Sequence, residues 1–196
     1  MCKLVIISGQ SGSGKNFLLT KLLNFNIIDE EGKSITTRPM RKREQEGVEY
    51  YFKTLEEFKQ LDKEGFFVEQ RVYHTINGDW YYGLGKNCID FNSDKTYCVI
   101  VDYNGYIRLK NYIDNNYSDK CKYISIFLDC PLQERLRRSI IREGEMTDEQ
   151  CLEVCRRMIA DNEEIGIYKN KYDHVLISDD KHKEYNIKYI KELLED

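Results

Sequence analysis

"GQSGSGKNF" at residues 9–17 stands directly after the apolar run "KLVIIS" at 3–8. A short β-branched run that ends in glycine reads as a buried strand. Glycines at 9, 12 and 14 followed by Lys15 match the phosphate-binding pattern G-x-x-x-x-G-K-[ST] up to its last position, where Asn16 replaces the usual hydroxyl residue. Glycine lets the backbone approach phosphate oxygens closely, and the helix that Lys15 opens presents unpaired N–H groups and partial positive charge. Gly9, Ser11, Gly12, Ser13, Gly14, Lys15, Asn16 and Phe17 are therefore expected to hold a nucleotide's phosphates, with Lys15 reaching the β- and γ-phosphates. Asn16 is the expected Mg²⁺ ligand, directly or through a water, because its side-chain carbonyl is an oxygen donor and Mg²⁺ in such sites is held largely by substrate phosphates.

Outward from this loop, short β-branched runs recur at 97–102 ("YCVIVD"), 122–129 ("KYISIFLD") and 174–178 ("HVLIS"). They alternate with helical patterns at about 17–24, 104–115, 131–141, 147–166 and 182–194. Alternating strands and helices predict an α/β fold: a P-loop NTPase-type parallel sheet flanked by helices. Thr147 and Gln150 form a capping box for the long helix, and Cys151, Val154, Cys155, Met158 and Ile159 fall on one face, which reads as core. The stretch from about 34 to 88 breaks the rhythm. It is rich in Tyr, Phe, Lys, Glu and Gly, with one helix signal at 54–65, and reads as a small inserted α+β lobe. The polar segment "REGEMTDE" (142–149) reads as a mobile helical lid. The expected organisation is one domain over 1–196: a core of 1–33 and 89–196, the lobe at about 34–88, and the lid at about 135–150.

The chain of 196 residues has a net charge of −4, which argues against a general nucleic-acid or membrane-surface binder. No apolar run is long enough to span a membrane. Seven cysteines without a C-x-x-C pair suit reduced thiols in a cytoplasmic protein; Cys151 and Cys155, one helical turn apart, read as ordinary packing more readily than as half a metal site. Positive charge is nevertheless clustered in "RPMRKR" (38–43) and "RLRRSIIR" (135–142). Two such runs beside a phosphate loop point to a polyphosphate site.

The chain resembles guanylate kinase across roughly residues 3 to 194. The resemblance rests on "SITTRPMR" (34–41), "EGVEYYF" (46–52), "EEFKQLDKEGFFVE" (56–69), "WYYG" (80–83), "VDYNG" (101–105), "RLRR…R" (135–142) and "HVLISDD" (174–180), in that order. It implies an ATP- and Mg²⁺-dependent nucleoside monophosphate kinase with GMP or dGMP as acceptor, working on small molecules as a monomer or homodimer. Arg38, Arg41 and Tyr50, with help from Ser34, would hold the monophosphate, and Tyr82 would supply a further phosphate contact. Arg135, Arg142 and Arg157 would join Lys15 over the transferring group. Glu69 would read guanine through N1–H and the exocyclic amine, an edge adenine lacks, and Asp102 would retain the second of two acidic positions. Leu84 and Ile100 depart from the family pattern, which has a base-binding Ser or Thr at the first and often an acid at the second. Two other readings stay open: a different nucleotide or small phosphorylated acceptor, and a guanylate-kinase-like interaction module without catalysis.

Overall fold

Leu4, Val5, Ile6 and Ile7 are each fully buried within β1 (Cys2–Gly9), and a strand apolar on both faces belongs at the centre of a parallel sheet. The computed structural model describes residues 1–41, 44–75 and 78–195, with the side chains of 164–166 left aside. In it β1 lies between β7 (Thr96–Ile100) and β8 (Cys121–Asp129). The sheet is completed by β2 (Glu30–Gly32) beyond β7 and β9 (His174–Ile177) beyond β8, every pairing parallel.

Alternate residues of β1 feed two cores. Leu4 and Ile6 pack with Tyr106, Leu109 and Ile113 of α3 (Tyr103–Asn116), whereas Val5 and Ile7 pack with Leu18, Leu19 and Leu22 of α1 (Lys15–Asn24) and Ile190 of α6 (Lys183–Glu195). Helices on both faces of a parallel sheet leave the carboxyl ends of the strands open as a crevice. The strands expected from apolar runs are all present. β2, with two glutamates in three residues, gave no such signal; an edge strand needs less apolar surface.

A second sheet, in the order β4-β3-β6-β5, is built from β3 (Ile35–Thr36), β4 (Tyr51–Phe52), β5 (Phe67–Thr75) and β6 (Gly78–Gly85). Its β5–β6 and β3–β6 pairs are antiparallel and its β3–β4 pair is parallel. Thr54 caps α2 (Leu55–Lys63) through a reciprocal box with Glu57. That helix buries Phe58, whose ring stacks on Phe67 at 4.5 Å and meets Tyr81 at 5.6 Å.

The long helix α5 (Asp148–Tyr168) starts with the expected Thr147–Gln150 box. Its expected core stripe needs correction. Val154 and Met158 are buried, but Cys151, Cys155 and Ile159 are exposed. The helix is rotated so that Glu153, Arg156, Arg157, Ala160 and Asp161 face a polar crevice instead. All seven cysteines are free. Among the described residues no helix is long and apolar enough to cross a membrane.

Phe58→Ala should cost about 3–5 kcal/mol, and the loss should be local. Hydrogen exchange should quicken in β3, β5 and β6 while β1, β7 and β8 stay protected; uniform quickening would show that the two sheets unfold as one unit.

Candidate active site

The turn from β1 into α1 requires backbone that L-residues with side chains avoid. Gly12 (φ 78°) and Gly14 (φ 92°) both take left-handed conformations, and Gly14 caps α1. A Cβ on Gly12 would lie 2.6 Å from the carbonyl oxygen of Arg135, so the loop packs directly on α4 (Leu132–Glu143). Ser13 is fully buried beneath the loop, while Asn16 and Phe17 are exposed at the start of α1. Lys15 folds back so that Nζ donates to the carbonyls of Gly9 (2.6 Å) and Gln10 (2.9 Å). The Ser11 N–H donates at 2.6 Å to a carboxylate from the protein itself, Asp161 of α5. Asp161 also pairs with Arg135, which is buried under the loop.

From this loop a cleft of ≈ 780 Å³ runs to the second sheet. Nine basic side chains line it against four acidic ones, in a chain whose net charge is −4. Arg71, Arg138 and Arg157 each keep a buried guanidinium nitrogen without a hydrogen-bond partner. Burial first, then repulsion from neighbouring arginines, lowers the proton affinity of Arg41 and Arg157. Such a surface suits an anion.

At the far wall Arg38 donates to the Tyr82 hydroxyl (3.2 Å), the Pro39 carbonyl (2.8 Å) and Glu44 (2.8 Å), and its guanidinium lies 5.5 Å from the Tyr50 ring centre. Glu44 also accepts from the Arg41 N–H at 2.8 Å. Arg41 reaches 3.7 Å from Glu143, which Arg142 holds at 2.8 Å, so the two walls touch here. The basic run at 38–43 ends with Lys42 and Arg43, which lie outside the described residues.

The structure brings together at this cleft Gly9, Ser11, Gly12, Gly14, Lys15, Asn16, Phe17, Arg38, Arg41, Tyr50, Tyr82, Asp102, Arg142 and Arg157. Ser13, Ser34, Glu69 and Arg135 do not line it and are buried behind its walls. Asp102 caps α3 by accepting from Gly105 N–H at 2.8 Å, and its other oxygen takes the Tyr73 hydroxyl at 2.5 Å. Glu69 is covered by Arg71, to which it is ion-paired. Sequence reasoning missed Glu44, Arg71 and Asp161. Two of them had a local signal: Arg71 lies two strand residues from Glu69, hence on the same face, and Asp161 lies one helical turn from Arg157.

The residues fit a magnesium–nucleotide pair better than a resident metal. Among the described residues no group of three His, Cys, Asp or Glu side chains could hold an ion. Asn16, exposed at the mouth of the loop and lining the cleft, carries a side-chain carbonyl oxygen, a ligand type compatible with an ion held largely by phosphates.

The family model described as Guanylate kinase matches residues 1–196. A guanylate kinase of Bacteroides thetaiotaomicron is 34% identical over 180 residues, covering 91% of this chain and 82% of that one. One from Caldanaerobacter subterraneus is 32% identical, covering 90% and 80%. The crystal structure of guanylate kinase from Anaplasma phagocytophilum superposes with a TM-score of 0.66 at 24% identity, covering 98% of this chain and 84% of that one. At that identity it supports the fold alone.

Burial brings the Lys15 ammonium down from 10.5 to about 8, with Asp161 opposing the fall. The folded value lies below the unfolded one, so between about pH 8 and 10.5 the folded chain has shed a proton that the unfolded chain keeps. Phosphate anions favour the charged lysine, so ATP binding above about pH 8 should take up a proton and weaken as pH rises. Calorimetry in buffers of different ionisation enthalpy measures that uptake. Asp161→Asn should lower the Lys15 value further; no proton uptake in either protein would exclude Lys15 as the titrating group.

Proposed function

This chain belongs to the guanylate kinase family, and from that membership we propose that it transfers the γ-phosphoryl group of ATP to GMP or dGMP, giving ADP and the nucleoside diphosphate. The observation that carries the reading is the continuous cationic cleft joining the phosphate loop to the Arg38–Arg41–Tyr50–Tyr82 wall. A kinase for monophosphates needs two phosphate sites within one crevice, and an interaction module needs neither.

In this reading the donor's phosphates replace Asp161 on the Ser11 N–H and draw Lys15 away from the Gly9 and Gln10 carbonyls. The donor's nucleoside end suits a smaller pocket that shares Gly14, Phe17 and Arg138 with the cleft and adds Leu128, Ser178 and Asn186. Arg38 and Arg41 clamp the monophosphate, with Tyr50, Tyr82 and nearby Ser34 shaping its seat. Arginine's planar fork binds phosphate oxygens in pairs. A monophosphate oxygen is already an anionic nucleophile, so no general base is required. Arg142 and Arg157 neutralise charge that develops on the moving group, and Arg135 holds the α4 end of the loop. Closure of residues 135–150 over the 34–88 lobe would exclude water, and the Arg41–Glu143 contact lies on that path. Mg²⁺, carried by ATP and held by Asn16, would supply charge neutralisation between the phosphates.

Steady-state assays with ATP, Mg²⁺ and a panel of GMP, dGMP, AMP, UMP and CMP test the proposal. GMP or dGMP should give the highest kcat/KM; equal or better use of AMP would overturn the acceptor. Arg38→Ala and Arg41→Ala should mainly raise KM for the monophosphate, whereas Arg142→Ala and Arg157→Ala should mainly lower kcat. One shared kinetic pattern would refute that division. Asn16→Thr should lower the Mg²⁺ concentration giving half-maximal rate, and an unchanged titration would remove Asn16 from the metal.

A further inference from the structure

Arg71 projects from β5 on the same face as Glu69 and lines the cleft beside Val72 and Tyr73. Its Nη1 pairs with Glu69 Oε1, and its Nε lies 3.7 Å from Asp102 Oδ2, too long for a hydrogen bond. The guanidinium sits 5.5 Å from the ring centre of its cross-strand partner Tyr82. Burial alone would weaken this cation, but Glu69, Tyr73 and Asp102 outweigh that and fix it well on the charged side. Leu84, the cross-strand partner of Glu69, is fully buried and brings no hydrogen-bonding atom. The group that the strand pair presents to the cleft at this end is therefore a donor, with Glu69 sealed behind it. The Nε has no hydrogen-bond partner in a side chain about nine-tenths buried, so the guanidinium keeps donor capacity that its protein neighbours do not use.

We propose that Arg71 selects the acceptor base, by donating a hydrogen bond to a carbonyl oxygen on its edge, and that it does so while holding Glu69 in place. The inference rests on the GMP reading and deepens it. A 6-oxo purine, as in guanine or hypoxanthine, offers that acceptor. The 6-amino group of adenine would set donor against donor in a site where neither can turn to water. On this account the 6-oxo group contributes more to recognition than the 2-amino group, because the donor lines the cleft and the Glu69 carboxylate does not.

Calorimetric binding of GMP, IMP, AMP and 2-aminopurine riboside 5′-monophosphate, which keeps the amine but lacks the 6-oxo group and with it the N1 proton, tests these contributions without requiring turnover, and Arg71→Gln separates the oxo group from the N1–H. In the unaltered protein, loss of the 6-oxo group should weaken binding about 10- to 100-fold, the range for a hydrogen bond to a charged group, and loss of the 2-amino group should weaken it less. Arg71→Gln should weaken GMP and IMP by a similar factor, leave the 2-aminopurine nucleotide within about twofold, leave ATP affinity unchanged, and lower Tm because the buried Glu69 carboxylate loses its ion-pair partner. Arg71→Lys should recover part of the loss. In turnover the change should fall on KM rather than kcat. Equal weakening of every monophosphate by Arg71→Gln, or no weakening of GMP, would overturn the assignment. If Arg71→Gln fails to fold, the unaltered protein decides: a larger penalty for losing the amine than the oxo group refutes Arg71. Should GMP bind as described but receive no phosphoryl group, the kinase reading fails while the role of Arg71 stands; should no monophosphate bind, both fail.

Discussion

The left-handed turn through Gly12 and Gly14 is the constraint on which the site depends. It sets the loop at the end of a strand that is buried on both faces, with the Ser11 N–H turned to Asp161 on the cleft wall. It also brings the loop against the carbonyl of Arg135, leaving no room for even one methyl group. That contact fixes the start of α4, and α4 carries Arg138 and Arg142. Through Asp161 the loop also sets the rotation of α5, which is why that helix turns its charged face inward. One backbone conformation thereby positions side chains from two helices more than a hundred residues away.

Crowding cations in one cleft is costly, and a small number of carboxylates offsets it. Glu44 ties Arg38 to the backbone of Arg41, Glu153 pairs with Arg156 and lies 3.7 Å from Arg157, and Asp161 joins the loop to Arg135. These carboxylates hold the guanidinium groups in place but do not satisfy all of their donors. The remaining donors are preorganised for phosphate and need little reorganisation when charge moves, the condition under which electrostatic stabilisation is most effective. Asp161 on the Ser11 N–H is an internal counterion at the position where a ligand's anion would sit.

Much of this was legible in sequence because it follows from periodicity and backbone chemistry. The β1 run, the loop glycines, the Thr147 cap and the parallel strands all have local causes. The rotation of α5 was not legible. Its apolar stripe suggested burial, but the contacts of Asp161 with the Ser11 N–H and Arg135 oppose that and turn the charged face inward. Glu69 and Arg71 show the same limit: their shared face follows from strand period, whereas the burial of one behind the other depends on Leu84 and α3 packing around them. β2 was invisible because its edge position rests on backbone pairing with β7 and demands little of its side chains.

The central claim is that one cleft serves two phosphate groups and passes a phosphoryl group between them. A ³¹P NMR time course of the protein with ATP, Mg²⁺ and GMP observes that passage directly. The account predicts that the GMP resonance is replaced by the paired resonances of GDP as ATP becomes ADP, with no build-up of inorganic phosphate. ATP bound but unchanged, or ATP converted to ADP and free phosphate beside an intact GMP resonance, would contradict it.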